Sequence, residues 1–202
     1  MANKPTPVRF ISKEPVRISF PKFFTKDQLS DSYSCFFLIP KTDKDTLTAL
    51  TGALAEARAE GARTVWGQEI PNASSTIYDG DKPKAQGGEW PEDYKGCMIL
   101  KASSQYPTQV FDEKKHPIKA DSPEAAQKVY GGAWGYPIID FSPVEYMGKK
   151  SVKAYLTGFM FHHDGEAMGG GAGNVAAALA DIDVGATLDV SAEDDPLAAM
   201  LG

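Results

Sequence analysis

The stretch WGYPIIDFSPVEYMGKKSVKAYLTGFMFHHDGEAMGG, Trp134 to Gly170, decides the fold. It reads as two extended segments joined by a Gly-Lys-Lys turn, then an Asp-Gly turn and a glycine run. In the second segment Ser151, Lys153, Tyr155 and Thr157 alternate with Val152, Ala154, Leu156 and Met160. That period of two is the mark of a half-buried strand. Its polar face carries a cation and an aromatic ring, an unusual pairing for a face that only meets water. Phe159 and Phe161 fall on the Tyr155 face by parity, although as phenylalanines they are expected in the core with Phe36 and Phe37.

Working back from this hairpin, further strands are predicted over 15–24 (PVRISFPKFF), 33–40 (YSCFFLIP), 95–104 (KGCMILKASS) and around Thr108–Phe111. The segment 33–40 is apolar on both faces, as a strand covered on both sides would be. Between these strands, Leu47, Leu50 and Leu54 recur at helical spacing behind Thr42, Asp43 or Asp45 as candidate caps, and the helix is expected to end at Gly61. A second, short helix is expected over 122–130, opened by Ser122-Pro123. Residues 71–93 form a long loop carrying Tyr78, Lys82, Lys84 and Trp90. Five or six strands, one main helix and no βαβ alternation predict a mainly β protein. The best match is an OB-fold, a five-stranded Greek-key barrel spanning 15–181. Residues 1–14 are expected to be a flexible basic arm and residues 182–202 a disordered acidic tail.

At 202 residues and 42% hydrophobic content the chain can bury one ordinary core. No apolar run approaches the roughly 18 to 20 residues of a membrane helix, and no secretory signal is expected. Cys35 and Cys97 sit in apolar runs and read as buried thiols in a reducing compartment. The net charge of −6 is unevenly spread. Residues 1–26 carry six basic side chains against Glu14 alone, while Ala154–Gly202 holds eight acids and no Lys or Arg. A basic start with an acidic end points to a nucleic-acid surface and an interaction tail.

No enzyme motif stands out. The glycine run Gly169–Gly173 lacks the Lys-Ser/Thr of a P-loop and reads as a hinge. His162, His163, Asp164 and Glu166 could be taken for a metal-dependent hydrolase centre. Neighbouring strand residues point to opposite faces, however, so the two histidines are not expected to converge. Neither a metal nor a cofactor is expected. The positive signal is the interleaving of cations with aromatics on predicted strands: Arg17, Lys101 and Lys153 with Trp134, Tyr136 and Tyr155. Binders of single-stranded nucleic acid use cations along the phosphates and rings that stack on bases for roughly 1–3 kcal/mol each. Trp66, Trp90 and Tyr106 are further candidate platforms.

Four segments, FPKFF…SYSCFFLIPK (20–41), IYDGDKPK (77–84), YKGCMILKASS (94–104) and EYMGKKSVKAYLTGFMFHHDGEAMGG (145–170), resemble in order the tailed-phage single-stranded DNA-binding proteins with an OB-fold. The resemblance spans about residues 15–170. It implies a non-enzymatic, sequence-tolerant protein of phage DNA replication or recombination in the cytoplasm of the bacterial host. Single-stranded DNA would be its partner, and an acidic tail would compete with DNA and recruit phage or host replication proteins. Self-association is left open. The alternative from another class is a virion assembly protein with no DNA affinity.

Overall fold

The computed structural model describes residues 4–168. The expected helix over 174–182, the glycine hinge and the acidic tail lie outside the described residues. Five strands close a barrel. They are β2 (Val16–Asp27), β3 (Ser32–Pro40), β6 (Cys97–Ser104), β8 (Trp134–Tyr146) and β9 (Lys149–His163), and around the ring they run β2-β3-β6-β9-β8 and back to β2. All neighbours are antiparallel except β6 and β9, which are parallel and meet at Ser103↔Tyr155. The first, second, third, fifth and fourth long strands thus follow one another around the barrel, the Greek-key order of an OB-fold.

Smaller strands complete the edges. β1 (Val8–Ile11) pairs with β8, from Val8↔Phe141 to Ile11↔Ile138. β4 (Ser74–Ser75) and β7 (Gln109–Phe111) extend the β9 edge on either side of β6. β5 (Ile77–Asp79) pairs with β6. The expectation of a flexible arm over 1–14 is therefore corrected: residues 8–11 are a strand. Arg9 fixes it by donating from Nε and Nη2 to the two carboxylate oxygens of Asp140, each at 2.8 Å. The backbone N–H groups of Lys13 and Glu14 donate to Thr46 Oγ1.

Helix α1 (Lys44–Gly61) is capped by Asp43, whose carboxylate accepts from the Thr46 N–H at 2.9 Å. It lays Leu50, Ala53, Leu54 and Ala57 on the core. It does not stop at Gly61; a π-helical turn, Ala62–Trp66, carries it on to Gly67, which takes the left-handed conformation that ends it. Helix α2 (Pro123–Lys128) is short and begins with proline at its first turn, as expected.

The β8–β9 turn centres on Met147-Gly148, with φ of 50° and 75°, so Lys149 and Lys150 belong to β9 rather than to the turn. Positive φ at both central residues is the two-residue hairpin geometry that follows strand twist. Farther along, the ladder steps from Ile139↔Leu156 to Ile138↔Gly158, leaving Thr157 as an extra residue on β9. This bulge reverses the parity of the strand. Phe159 and Phe161 turn inward, where Phe159 packs on Phe23 and Phe37 with ring centroids 5.1 and 6.4 Å apart. Tyr155 stays outside, which resolves the parity conflict in the sequence.

Candidate nucleic-acid interface

On the outer side of the barrel, β6 and β9 present Lys101, Ser103, Lys153 and Tyr155, all half-buried. Tyr155 lies opposite Ser103, and Lys153 two residues away on the same face. The Lys153 ammonium sits over the Tyr155 ring, 4.8 Å from its centroid, and the Lys101 ammonium over Phe36 at 5.4 Å. Among the described residues neither lysine has a carboxylate partner. Both line a cavity of about 360 Å³ together with Tyr78 and several hydroxyls. Cations held over rings and left without counter-charge can meet phosphates while the rings offer their faces to bases.

Trp134 and Tyr136 lie on the same outward face of the hairpin, and Tyr136 is four residues up β8 from Asp140, the partner of Tyr155. At the usual rise that is about 13 Å along the strand. Trp134 stacks on His163 with centroids 5.6 Å apart and planes 10° from parallel, and Tyr136 meets His162 edge-on. The two histidines do converge, Nδ1 to Nδ1 at 2.6 Å, contrary to the parity argument. The ladder passes from Gly135↔Phe161 to Trp134↔His163, so His162 is a bulged residue and swings toward its neighbour. Among the described residues no group of three or more His, Cys, Asp or Glu side chains gathers there or elsewhere.

Arg17 lies beside Trp134 across the β2–β8 ladder. Its Nη2 donates to the Glu166 carbonyl at 2.6 Å, so it holds down the chain leaving β9 rather than standing free. Gly132, at φ +114°, makes that approach feasible: a Cβ there would lie 2.0 Å from the Glu166 oxygen.

A second aromatic group, not foreseen as a unit, covers the outer side of β3. Alternation along SYSCFFLIP turns Cys35, Phe37 and Ile39 inward, and Phe36 and Leu38 outward. Phe36 therefore leaves the core to which the sequence reading assigned it. It meets Phe20, Trp90 and Tyr94 edge-on at 6.3, 6.3 and 6.4 Å. Trp90 stacks on Tyr94 at 5.6 Å, and Lys84 lies over Trp90 at 5.1 Å. Phe20 is 58% exposed and takes φ 48°, a conformation rare for so bulky a residue. Tyr94 itself is buried, its hydroxyl donating to Ser19 Oγ at 2.8 Å, and burial pushes its pKa up.

The Asp79-Gly80-Asp81 turn pins the loop that carries Trp90. Lys41, next to Pro40, donates to Asp79 and, at 2.6 Å, to Asp81. Asp81 also accepts from the Gly96 N–H at 2.8 Å. Lys41 is the leading cause that holds both carboxyls below the usual aspartate range. A Cβ at Gly80 would lie 1.9 Å from the Tyr94 carbonyl oxygen, so only glycine lets the turn reach this depth. Lys41 and the Asp79-Gly80-Asp81 turn, which lie in separate segments of the sequence, are the two halves of one clasp.

The other candidates divide. Trp66 is 5% exposed and donates from Nε1 to the Val144 carbonyl at 3.2 Å, so its expected role as a platform is corrected to a core role beneath the hairpin. Tyr106 is 79% exposed and makes no aromatic contact with the face described above. Cys35 is buried and free, and Cys97 is free and half-buried.

Comparison with known proteins gives this arrangement a context. The 28% identical relative "Putative protein p50" of Acyrthosiphon pisum secondary endosymbiont phage 1 aligns over 170 residues, 77% of this chain and 84% of its own length. The single-stranded DNA-binding protein from bacteriophage Enc34, solved in complex with ssDNA, superposes with a TM-score of 0.64 at 20% identity, over 77% of this chain and 87% of that one. The single-stranded DNA-binding protein gp2.5 encoded by bacteriophage T7 superposes with a TM-score of 0.53 at 16% identity, over 90% and 98%. These two likenesses establish a shared fold. Residues 9–187 match the family described as Enterobacter phage Enc34, ssDNA-binding protein, and the chain belongs to that family of phage proteins.

Proposed function

We propose that this chain coats single-stranded DNA during phage DNA replication or recombination in the cytoplasm of the bacterial host, binding without regard to sequence and catalysing no reaction. The observation that carries the reading is the outward β6–β9 face, where Lys101 and Lys153 lie over Phe36 and Tyr155 with no carboxylate partner among the described residues. The strand runs over Tyr155 and Lys153 toward Tyr136 and Trp134, with Lys101 on its flank. Arg17, engaged with Glu166, borders this path. Family membership supports the reading, and the Enc34 relative solved with ssDNA supports the choice of ligand.

The acidic segment 182–202 acts in this reading as a competitor for the basic face and as a recruiting element for replication proteins. Its support is the absence of Lys and Arg after Lys153. Truncation after residue 181 is expected to tighten binding, and equal affinity of the two forms would count against it.

Hydrogen exchange with and without oligo-dT tests the interface. Slowed exchange in β6, β8 and β9 is expected. Protection confined to α1 and β1 would place the ligand elsewhere.

A further inference from the structure

β6 and β9 touch at one residue pair, Ser103↔Tyr155, and then part. The gap between them is bridged by residues 74–79. On one side Ser74 and Ser75 pair with Ser151 and Val152. On the other, Ile77–Asp79 pairs with β6, and Thr76 Oγ1 donates to the Lys101 carbonyl at 2.6 Å. The cavity of about 360 Å³ left there falls within the roughly 300–1,000 Å³ range of small-ligand pockets. It is lined by Lys101, Lys153, Ser74, Thr76, Ser103 and Ser151 among others, and among the described residues no carboxylate lines it.

We propose that this cavity is a pocket for a phosphate monoester, the group found at a phosphorylated strand end or on a free nucleoside monophosphate. Two lysines that line it, each without a carboxylate partner among the described residues, suit a group bearing close to two negative charges and three acceptor oxygens better than a phosphodiester, which bears one charge. Serine and threonine hydroxyls supply the neutral donors such a group needs to be fully satisfied. The walls come from three elements, the 74–79 bridge, β6 and the β8–β9 hairpin. The pocket rests on the DNA-binding reading only for its strand-end source.

The test compares oligo-dT carrying a 5′-phosphate, a 3′-phosphate or neither, alongside thymidine monophosphate alone, using the full chain and its Ser103→Ala/Ser151→Ala variant. That variant keeps both lysines and so separates the pocket from general charge. One terminally phosphorylated oligonucleotide is expected to bind about tenfold more tightly than the plain one, and the variant to lose that difference. Saturable thymidine monophosphate binding, weakened in the variant, with no preference among the oligonucleotides, supports the pocket with free nucleotide as its source. Equal binding of all three oligonucleotides with no mononucleotide binding overturns the pocket. If the plain oligonucleotide still binds in that case, the DNA-binding reading stands without it. If nothing binds, both fall.

Discussion

The two aromatic groups on the outer surface are built in opposite ways. Trp134, Tyr136 and Tyr155 stand on one long hairpin, placed by the twice-bulged ladder that joins β8 to β9. Phe36, Trp90 and Tyr94 are assembled from a strand and a distant loop, and the loop is held by the clasp of Lys41 with Asp79 and Asp81. The hairpin group depends on backbone pairing formed by neighbours in sequence. The loop group depends on a few side-chain contacts across the fold, and can be loosened without disturbing the barrel.

Gly80→Ala breaks the contrast most strongly. The added methyl meets the Tyr94 carbonyl, and overpacking of this kind costs about 1–3 kcal/mol. Thermal unfolding should show a lowered Tm, and hydrogen exchange should quicken in residues 80–96 while β8 and β9 keep their protection. Tyr155→Ala acts on the other group. Stability should change little, and affinity for oligo-dT should fall by roughly 1–3 kcal/mol, the worth of one stacked base. Lys153→Ala should lower affinity less and reduce the slope of log affinity against log salt by about one, as expected for the loss of one phosphate contact.

The smallest effect concerns acid. The Asp79 and Asp81 carboxyls are held below their usual value, so the clasp contributes stability that is full above the unfolded value near 3.8 and is lost as pH falls through the lower folded values. Below about pH 4 the loop should loosen before the barrel unfolds. Exchange in 80–96 that tracks the barrel at every pH would argue against an independent clasp.

The barrel was legible because its evidence is local. Alternation in β3, β6 and the hairpin, the helix stripe at Leu50 and Leu54, and the proline at the start of α2 all act within a few residues. Alternation also put Lys101, Lys153 and Tyr155 on outward faces, and the fold brings these three together. Parity failed where the backbone gained a residue. The bulges at Thr157 and His162 sent Phe159 inward and the two imidazoles toward each other; Gly158 beside the first is the one local sign of a bulge, and His162 has no such neighbour on its own strand. Phenylalanine usually belongs in the core, but the alternation of Phe36 with Phe37 points Phe36 outward. Nothing in the sequence shows that a π-helical turn carries Trp66 under the hairpin. β1 was hidden because its pairing and the Arg9–Asp140 contact span 131 residues.

The central claim is that the outward cation–aromatic face binds single-stranded DNA. Fluorescence anisotropy of labelled oligo-dT, titrated with the full chain at low and moderate salt beside the matching duplex, tests it most directly. The account predicts saturable binding to the single strand, tighter than to the duplex and weakening steeply with salt as counterions are released. No binding to the single strand at low salt, by the full chain and by the chain truncated after residue 181, would contradict it.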